Sequence, residues 1–456
     1  MKKIIALLLC AMMVASLLVA CGKEEGSTNN EGGATTAEKT VINVMAFTDE
    51  VPKMVEKYIA MHPEANLEIN TTIIATTDGA YQPALDAALK AGGADAPDIY
   101  AAEAAFVLKY AQGEASGFAA AYEDLGIDMS KVQSAEIAPY SVEIGTRPSD
   151  GKIVALGYQA TGGAFIYRRS IAKDVWGTDD PATVKAKIGG GSGSWEQFWV
   201  AAEELKAKGY GIISGDGDLW HAVENSSPTG WLTADGKLNI DPKREEFIDL
   251  SKKLKDNGYH NDTQDWQDAW FADMKGEGEK GILGFFGPAW LINYTIAPNC
   301  GGTAVGEGTY GDWAICESPI GFFWGGTWIL ANKDTQKKEA VAKIIEWITL
   351  DDSETGLQYM WANGTFNGEG GTKDCVASGT VMAKSNGTLD FLGGQDMFEV
   401  FVPANAFANG KNLTPYDESI NSIWRDEVRN YTGGLKDRAT ALADFKKKVA
   451  EDLGIE

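Results

Sequence analysis

At 456 residues the chain is longer than one small core requires, which favours two domains. Hydrophobic residues at 44% and charged residues at 23% give an ordinary globular balance, while 40 basic against 65 acidic residues leave a net charge of −25. There is no basic block beyond Lys446-Lys447-Lys448, so nucleic acid and anionic headgroups are excluded as partners of the folded part, whereas a neutral solute meets no penalty.

In chain order, Lys2 and Lys3 precede an apolar run from Ile4 to Ala20 that reads as a secretory signal over residues 1–20. The run touches the lower limit for a membrane span, about 17 residues, but only polar chain follows it. From Gly22 to Thr40 no large apolar residue occurs, so 21–40 is expected to be a disordered tether. Residues 41–47, VINVMAF, read as a strand. The next piece places Val51, Met54, Val55, Tyr58 and Ile59 at helical spacing. LEINTTII (67–74) alternates as a strand, YQPALDAALKAGG closes as a helix on glycine, and APDIYAAEAAFVLKYAQG repeats strand then helix. This alternation predicts a mostly parallel sheet covered by helices.

Past the turn Arg147–Gly151, KIVALGY and AFIYRR read as strands. A second α/β series follows. Ser194 and Gln197 predict a capping box for a helix from Trp195, and Asp241 with Pro242 predicts another helix start. GYGIIS, KGILGFFG and DWAICE are strand candidates; GGTWILA and the helix DTQKKEAVAKIIEWITL close the series.

Two G-x-G-x-x-G matches, at Gly276 and Gly306, precede strands instead of following them, so neither is a dinucleotide fingerprint. No phosphate-loop motif is present. His62, His221 and His260 lie far apart with no metal or Ser-His-Asp pattern, so no metal, cofactor or catalytic residue is expected. His62 is expected at a helix end. Cys300, Cys316 and Cys375 allow one disulfide with a thiol left over, or none. The chemistry that remains is aromatic. Fourteen tryptophans include several beside glycine, proline or carboxamides, in GDGDLWHAVENS, GFFGPAWLINY, GFFWGGTW and QYMWANGTFNGEGG, all read as loops. Rings with polar neighbours suit a ligand having both C–H faces and hydroxyls, as a sugar has.

Leu18-Val19-Ala20-Cys21 resembles the lipobox of bacterial lipoproteins, which implies cleavage before Cys21 and lipidation of that residue. INVMAF, DEVPKMVEKYIAMHP, APDIYAAEAAFVLKYAQG, VALGYQATGGAFIYRRSIAKDVWGTDDP, SWEQFWVAAEELKAKGYGI, GFFGPAWLINY and GDWAICESPIGFFWGGTWILA follow one another in an order that resembles the extracellular solute-binding proteins of ABC importers. The likeness is to family 1, and within it to the carbohydrate-binding branch that includes the maltose-binding proteins. It implies a two-lobed α/β, periplasmic-binding-protein-like fold (type II, Venus-flytrap) with three crossing segments, near 159–162, 319–322 and 350–356. Lobe one would be 41–158 plus 322–351, and lobe two 162–318 plus 356–456.

The resemblance also implies a non-enzymatic, monomeric receptor, lipid-anchored outside the cell membrane, that passes a carbohydrate to the permease subunits of an importer. Carried over position by position, it implies ligand contacts from Asp49, Glu103, Tyr158, Gln159, Asp218, Trp220, Trp290, Trp361 and Tyr416. Ala101 and Ala102 stand where maltose-type members put a stacking ring, which speaks against maltose itself. In residues 311–331 Trp313 is expected to pack and Trp328 to join the core. Trp324, expected on the same strand face as Gly326 and Trp328, is the expected ligand contact there. A lipid-anchored glycan-degrading enzyme is the alternative, as is the same fold with a polyol or peptide as solute.

Overall fold

The computed structural model describes residues 38–76, 79–368 and 370–456. The signal peptide, Cys21 and the tether as far as residue 37 therefore lie outside the described residues. Among the described residues, no helix is long and apolar enough to cross a membrane.

The described chain carries two main sheets. Strands β1 (Thr40–Ala46), β2 (Leu67–Ile73), β3 (Ile99–Glu103), β6 (Ala155–Gly157) and β10 (Thr327–Ala331) form the larger, in the order β2-β1-β3-β10-β6. Between them β4 (Thr146–Arg147) and β5 (Lys152–Ile153) make a small hairpin. The smaller sheet is β8-β7-β9, from β7 (Ala164–Arg168), β8 (Gly284–Gly287) and β9 (Trp313–Cys316). Apart from the exposed edge strand β2, both sheets are largely buried on both faces, and strand alternation sorts their residues. Ile42, Val44, Ala101 and Ile329 fall in one hydrophobic cluster, while Met45, Tyr100, Ala102, Trp328 and Leu330 fall in another. In the smaller sheet Phe165, Phe286 and Ala314 face one core, and Ile166, Phe285 and Ile315 the other.

The larger sheet is mixed, not mostly parallel. Helical crossovers after β1 and β2 make β1 pair in parallel with β2 and β3. Strand β10 arrives from the other sheet, and its direction of entry makes it antiparallel to both β3 and β6. The smaller sheet is antiparallel throughout.

The chain passes between sheets twice along strand-like segments, after β6 and after β9. The two segments meet: Gly162 bridges Phe323, Gly163 N–H donates to Phe322 O (2.9 Å), and Trp324 N–H donates to Thr161 O (3.1 Å). A third stretch lies alongside, with Ala160 N–H donating to Cys375 O (3.0 Å) and Ala377 N–H to Tyr158 O (2.9 Å). Leu357, Met360 and Phe366 pack with the larger sheet, and Val376 and Val381 with the smaller.

Local signals succeed where the chemistry is self-contained. Asp241 caps the helix Pro242–Asp256 through Lys243 N–H (2.8 Å), and Val51, Met54, Val55 and Tyr58 are the buried face of Glu50–Met61, which His62 ends. The box at Ser194 does not form: Trp195 occupies the cap, and Ser194 Oγ accepts only from Glu196 N–H (3.2 Å). GYGIIS makes a single bridge, Gly211 to Ile282, in place of a strand. Two aromatic segments read as loops are helices, Asp216–Glu224 and Leu357–Asn363, because their apolar residues pack inward. Cys300, Cys316 and Cys375 are buried free thiols.

Candidate functional site

A cavity of about 370 Å³ opens beside the crossing strands. Glu103–Ala105, at the C-terminal end of β3, supply one wall. The helix Asp216–Glu224, Asp265-Trp266 and the helix Asp417–Thr432 supply the opposite wall, with Phe323–Gly325 between. Its volume suits a small ligand, for which pockets run about 300–1,000 Å³.

The crossing strand is shaped for this place by glycine. Gly325 (φ +72°) and Gly326 (φ +116°) stand in conformations that side chains rarely adopt. They end the expected alternation, so β10 begins only at Thr327, and Trp324 and Trp328 go different ways. Trp328 is core, its indole donating to Ser141 O (3.1 Å). Trp324 turns to the cavity. The His221 ring lies flat on it at 3.4 Å and 14°, and Trp290 meets it edge-on at 4.7 Å. Trp290 also donates to Trp324 O (3.1 Å) and lies parallel to Trp266 at 6.2 Å. Trp290 sits immediately before a π-helical turn, Leu291–Ile296, a form frequent at functional sites. Trp266 is held with φ +64° and 46% exposed, an uncommon arrangement for so large an apolar side chain.

Beneath the rings lies a charged floor. Arg425 reaches Asp265 at 2.8 Å, and His221 Nε2 lies 3.2 Å from the same carboxylate. Burial opposes ionisation of Asp265, yet Arg425 and His221 hold its carboxyl well below the usual range. Burial, with Arg425 nearby, lowers His221 against the opposing pull of Asp265. Asp265 fills the notch left by Gly217, where a Cβ would come within 1.7 Å of its carboxylate. Arg429 pairs with Asp216 at 3.1 Å.

Of the five other wall carboxylates, Asp426 included, four have neutral donors only. Glu103 accepts from Ala105 N–H (2.7 Å), Glu224 from Asn421, Glu418 from Gln82, and Asp417 from Thr414 N–H (3.0 Å) and Oγ1 (2.6 Å). Burial, then Glu224 and Glu418, push Glu103 up to about 7; burial and Asp417 push Glu224 up to about 7. The Gln82–Glu418 bond joins the two walls at the rim.

Of the residues expected from sequence, Glu103, Trp220 and Trp324 line this cavity and Trp290 abuts it. Trp220 is nearly all core, packed on Phe247 and Trp231. Asp218 is buried behind the wall and accepts from Ser214 and Gly215 N–H (both 3.1 Å); burial, then Asp265, raise it well above an ordinary carboxylic acid. Tyr158, Gln159 and Trp361 gather elsewhere, around the first crossing. Tyr158 donates to Glu50, Gln159 to Asp374 (2.9 Å), and Trp361 meets Tyr158 at 6.2 Å. Asp49 is exposed and paired with Lys53, and Tyr416 is exposed at the start of Asp417–Thr432. Trp266, His221, Asp265, Glu224, Glu418 and Arg425 were not picked out from the sequence. Glu418, Ser422, Arg425 and Arg429 share one helix face, a spacing that equally describes an ordinary solvated stripe.

The model of a family described as bacterial extracellular solute-binding protein matches residues 46–355. Among solved structures, the crystal structure of an extracellular solute-binding protein family 1 aligns over 90% of this chain and 99% of its own, with 19% identity and a TM-score of 0.70. The galacto-N-biose-/lacto-N-biose I-binding protein of the ABC transporter from Bifidobacterium longum, in complex with lacto-N-biose, aligns over 92% and 99% at 16% identity and a TM-score of 0.67. An ABC transporter associated binding protein from B. animalis subsp. lactis, in complex with β-1,6-galactobiose, aligns over 91% and 97% at 21% identity and a TM-score of 0.62. No curated protein matches by sequence.

Proposed function

Because the chain belongs to the bacterial extracellular solute-binding proteins, we propose that it holds a carbohydrate between its two lobes and delivers it to the permease subunits of an ABC importer. The observation that carries this reading is the cavity itself, walled by Glu103–Ala105 at the end of β3 and by the helices of the other lobe, with Trp266, Trp290 and Trp324 beside it. Indole faces cover the C–H side of a sugar, while carboxylates and amides take its hydroxyls. The sugar ligands of the Bifidobacterium proteins support the same class. Glu103, Trp220, Trp290 and Trp324 are the contacts of first choice. Tyr158 and Gln159, bonded to Glu50 and Asp374, tie the first crossing to its flanks. Asp218 supports the site by holding the start of its helix, whereas Asp49, Trp361 and Tyr416 lie outside the cavity wall.

In this reading lobe one would be 41–158 plus 322–351 and lobe two 162–318 plus 356–456, with hinge motion at the crossings. A ligand touching both walls favours the closed form by its difference in affinity for the two states. Lipidation at Cys21 would hold the monomer outside the membrane, by the tether 21–40. A sugar panel tests the function. Ligand at a hundred times its dissociation constant raises stability by about 2.7 kcal/mol, with no cleavage. Catalytic release of reducing ends would replace the receptor by a glycan-degrading enzyme, and stabilisation by polyols or peptides alone would replace the sugar.

A further inference from the structure

Resting on the carbohydrate reading, we propose that the solute is an amino sugar carrying a free, protonated ammonium group, bound among Glu103, Glu224 and Glu418. The cavity wall has an unbalanced charge. Its two cations are already engaged, Arg425 with Asp265 and Arg429 with Asp216. Glu103, Glu224, Asp417 and Glu418 have no ion-pair partner among the described residues. Arg244 lies behind the wall, with its guanidinium on the carbonyl oxygens of Thr229 and Glu224 and over the Trp231 ring; it and Arg425 draw on Glu224 through space without an ion pair, and burial with Asp417 still leaves Glu224 raised. Glu103 projects from one lobe, and Glu224 and Glu418 from the other, so closing the cleft brings like charges together.

Two buried atoms in the same wall point to a ligand independently of that charge. Asn225 donates its amide N–H to Phe323 O (2.9 Å), but its Oδ1 has no partner; His221 Nδ1 has none either. Both residues are more than nine-tenths buried and line the cavity. With the His221 ring proton on Nε2, towards Asp265 (3.2 Å), Nδ1 is an acceptor like Asn225 Oδ1; a buried acceptor without a donor is costly, so each calls for an O–H or N–H from the occupant. A sugar supplies hydroxyls for these two acceptors, and an ammonium supplies charge for the carboxylates. The indole face of Trp266 at the rim favours a cation as well. Uronic acids and other anionic sugars would add to the repulsion. Burial, then Glu224 and Glu418, disfavour the ionised form of Glu103, and burial with Asp417 does the same for Glu224; a cation between them would offset that penalty.

The test compares matched ligands on the full folded protein by titration calorimetry at neutral pH. Glucosamine and galactosamine, as monomers and short oligomers, are each set against the N-acetylated and the plain neutral sugar of the same skeleton. The expected result is that a free-amine sugar binds about tenfold or more tightly than both of its partners. That preference should shrink in Glu103→Gln and Glu224→Gln, whose melting curves check folding. Binding of a neutral or N-acetylated sugar as tightly as its amine overturns this proposal and leaves the carbohydrate receptor standing. Binding of spermidine or putrescine with no sugar bound, or no binding of any sugar, overturns both.

Discussion

Replacing Asp265 by Asn asks whether charge holds the floor of the cleft. The side chains are nearly the same size, so the notch over Gly217 stays filled and only the charge is lost. Arg425 is then left without its carboxylate at 2.8 Å, and its Nε already lacks a partner. Removing one member of a buried pair costs about 3–5 kcal/mol, and the partial exposure of Arg425 argues for about 3 kcal/mol. Melting entropy near 2.1 cal/mol/K per residue gives about 0.9 kcal/mol/K for the folded unit Lys39–Glu456, so the melting temperature should fall by about 3 °C. Asp265 has a depressed folded-state pKa, so its contribution is fully present above the unfolded value, about 3.9, and is lost only as pH falls through the folded one. Scanning calorimetry on Asp265→Asn, Arg425→Gln and the double variant gives the coupling, expected at about 1–3 kcal/mol. A shift below about 1 °C, or additive single effects, would refute an ion-paired floor.

Gly325→Ala forces a left-handed alanine and puts a methyl 3.3 Å from Glu103 Oε1, so stability should drop by about 1–2 kcal/mol with weaker sugar binding; denaturant titration and calorimetry read the two effects. Trp328→Ala should cost about 3–5 kcal/mol of stability from the core, whereas Trp324→Ala should chiefly lower sugar affinity, a contrast read by the same pair of measurements. Burial, then Asp374 and Asp49, push Glu50 up to about 8, above its unfolded value. Its ionisation therefore erodes stability as pH rises from about 4.5 towards 8, and Glu50→Gln should gain at least about 1 kcal/mol at the upper end with no gain at the lower, by thermal melts across pH. The three buried thiols, with burial pushing Cys375 up to about 12, should resist a thiol reagent in the native protein, and all three should react once a chain starting at Lys39 is unfolded.

The legible part of this protein was its periodicity. Val51, Met54, Val55 and Tyr58 announce a helix, and β1 shows itself by its β-branched run. Both are decided within a few residues, by a repeat that matches one geometry. The sheet's mixed direction was not legible, because β10 pairs with β3 across more than two hundred residues of intervening chain. Only the path of the chain sets its sense. The same limit governs the site. Trp290 and Trp324 stood out because indole beside glycine or proline is uncommon in a core, and both came to the cavity. Tyr158 and Gln159 stood out by resemblance and came to the crossing, bonded to Glu50 and Asp374.

The floor left no local trace. Asp265, His221 and Arg425 lie forty or more residues from one another and form one cluster only after the helices Asp216–Glu224 and Asp417–Thr432 pack. Each alone looks like any of the surface charges of an acidic chain. What distinguishes them is where their neighbours end: the cavity's arginines are paired with Asp265 and Asp216, which leaves Glu103 on one wall and Glu224 with Glu418 on the other without an ion pair. Net charge in sequence speaks against nucleic acid and anionic headgroups as partners of the folded part. The pairing of that charge in space carries the finer preference, because a carboxylate already matched to arginine recognises hydroxyls, whereas an unmatched one in a buried wall also recognises a cation.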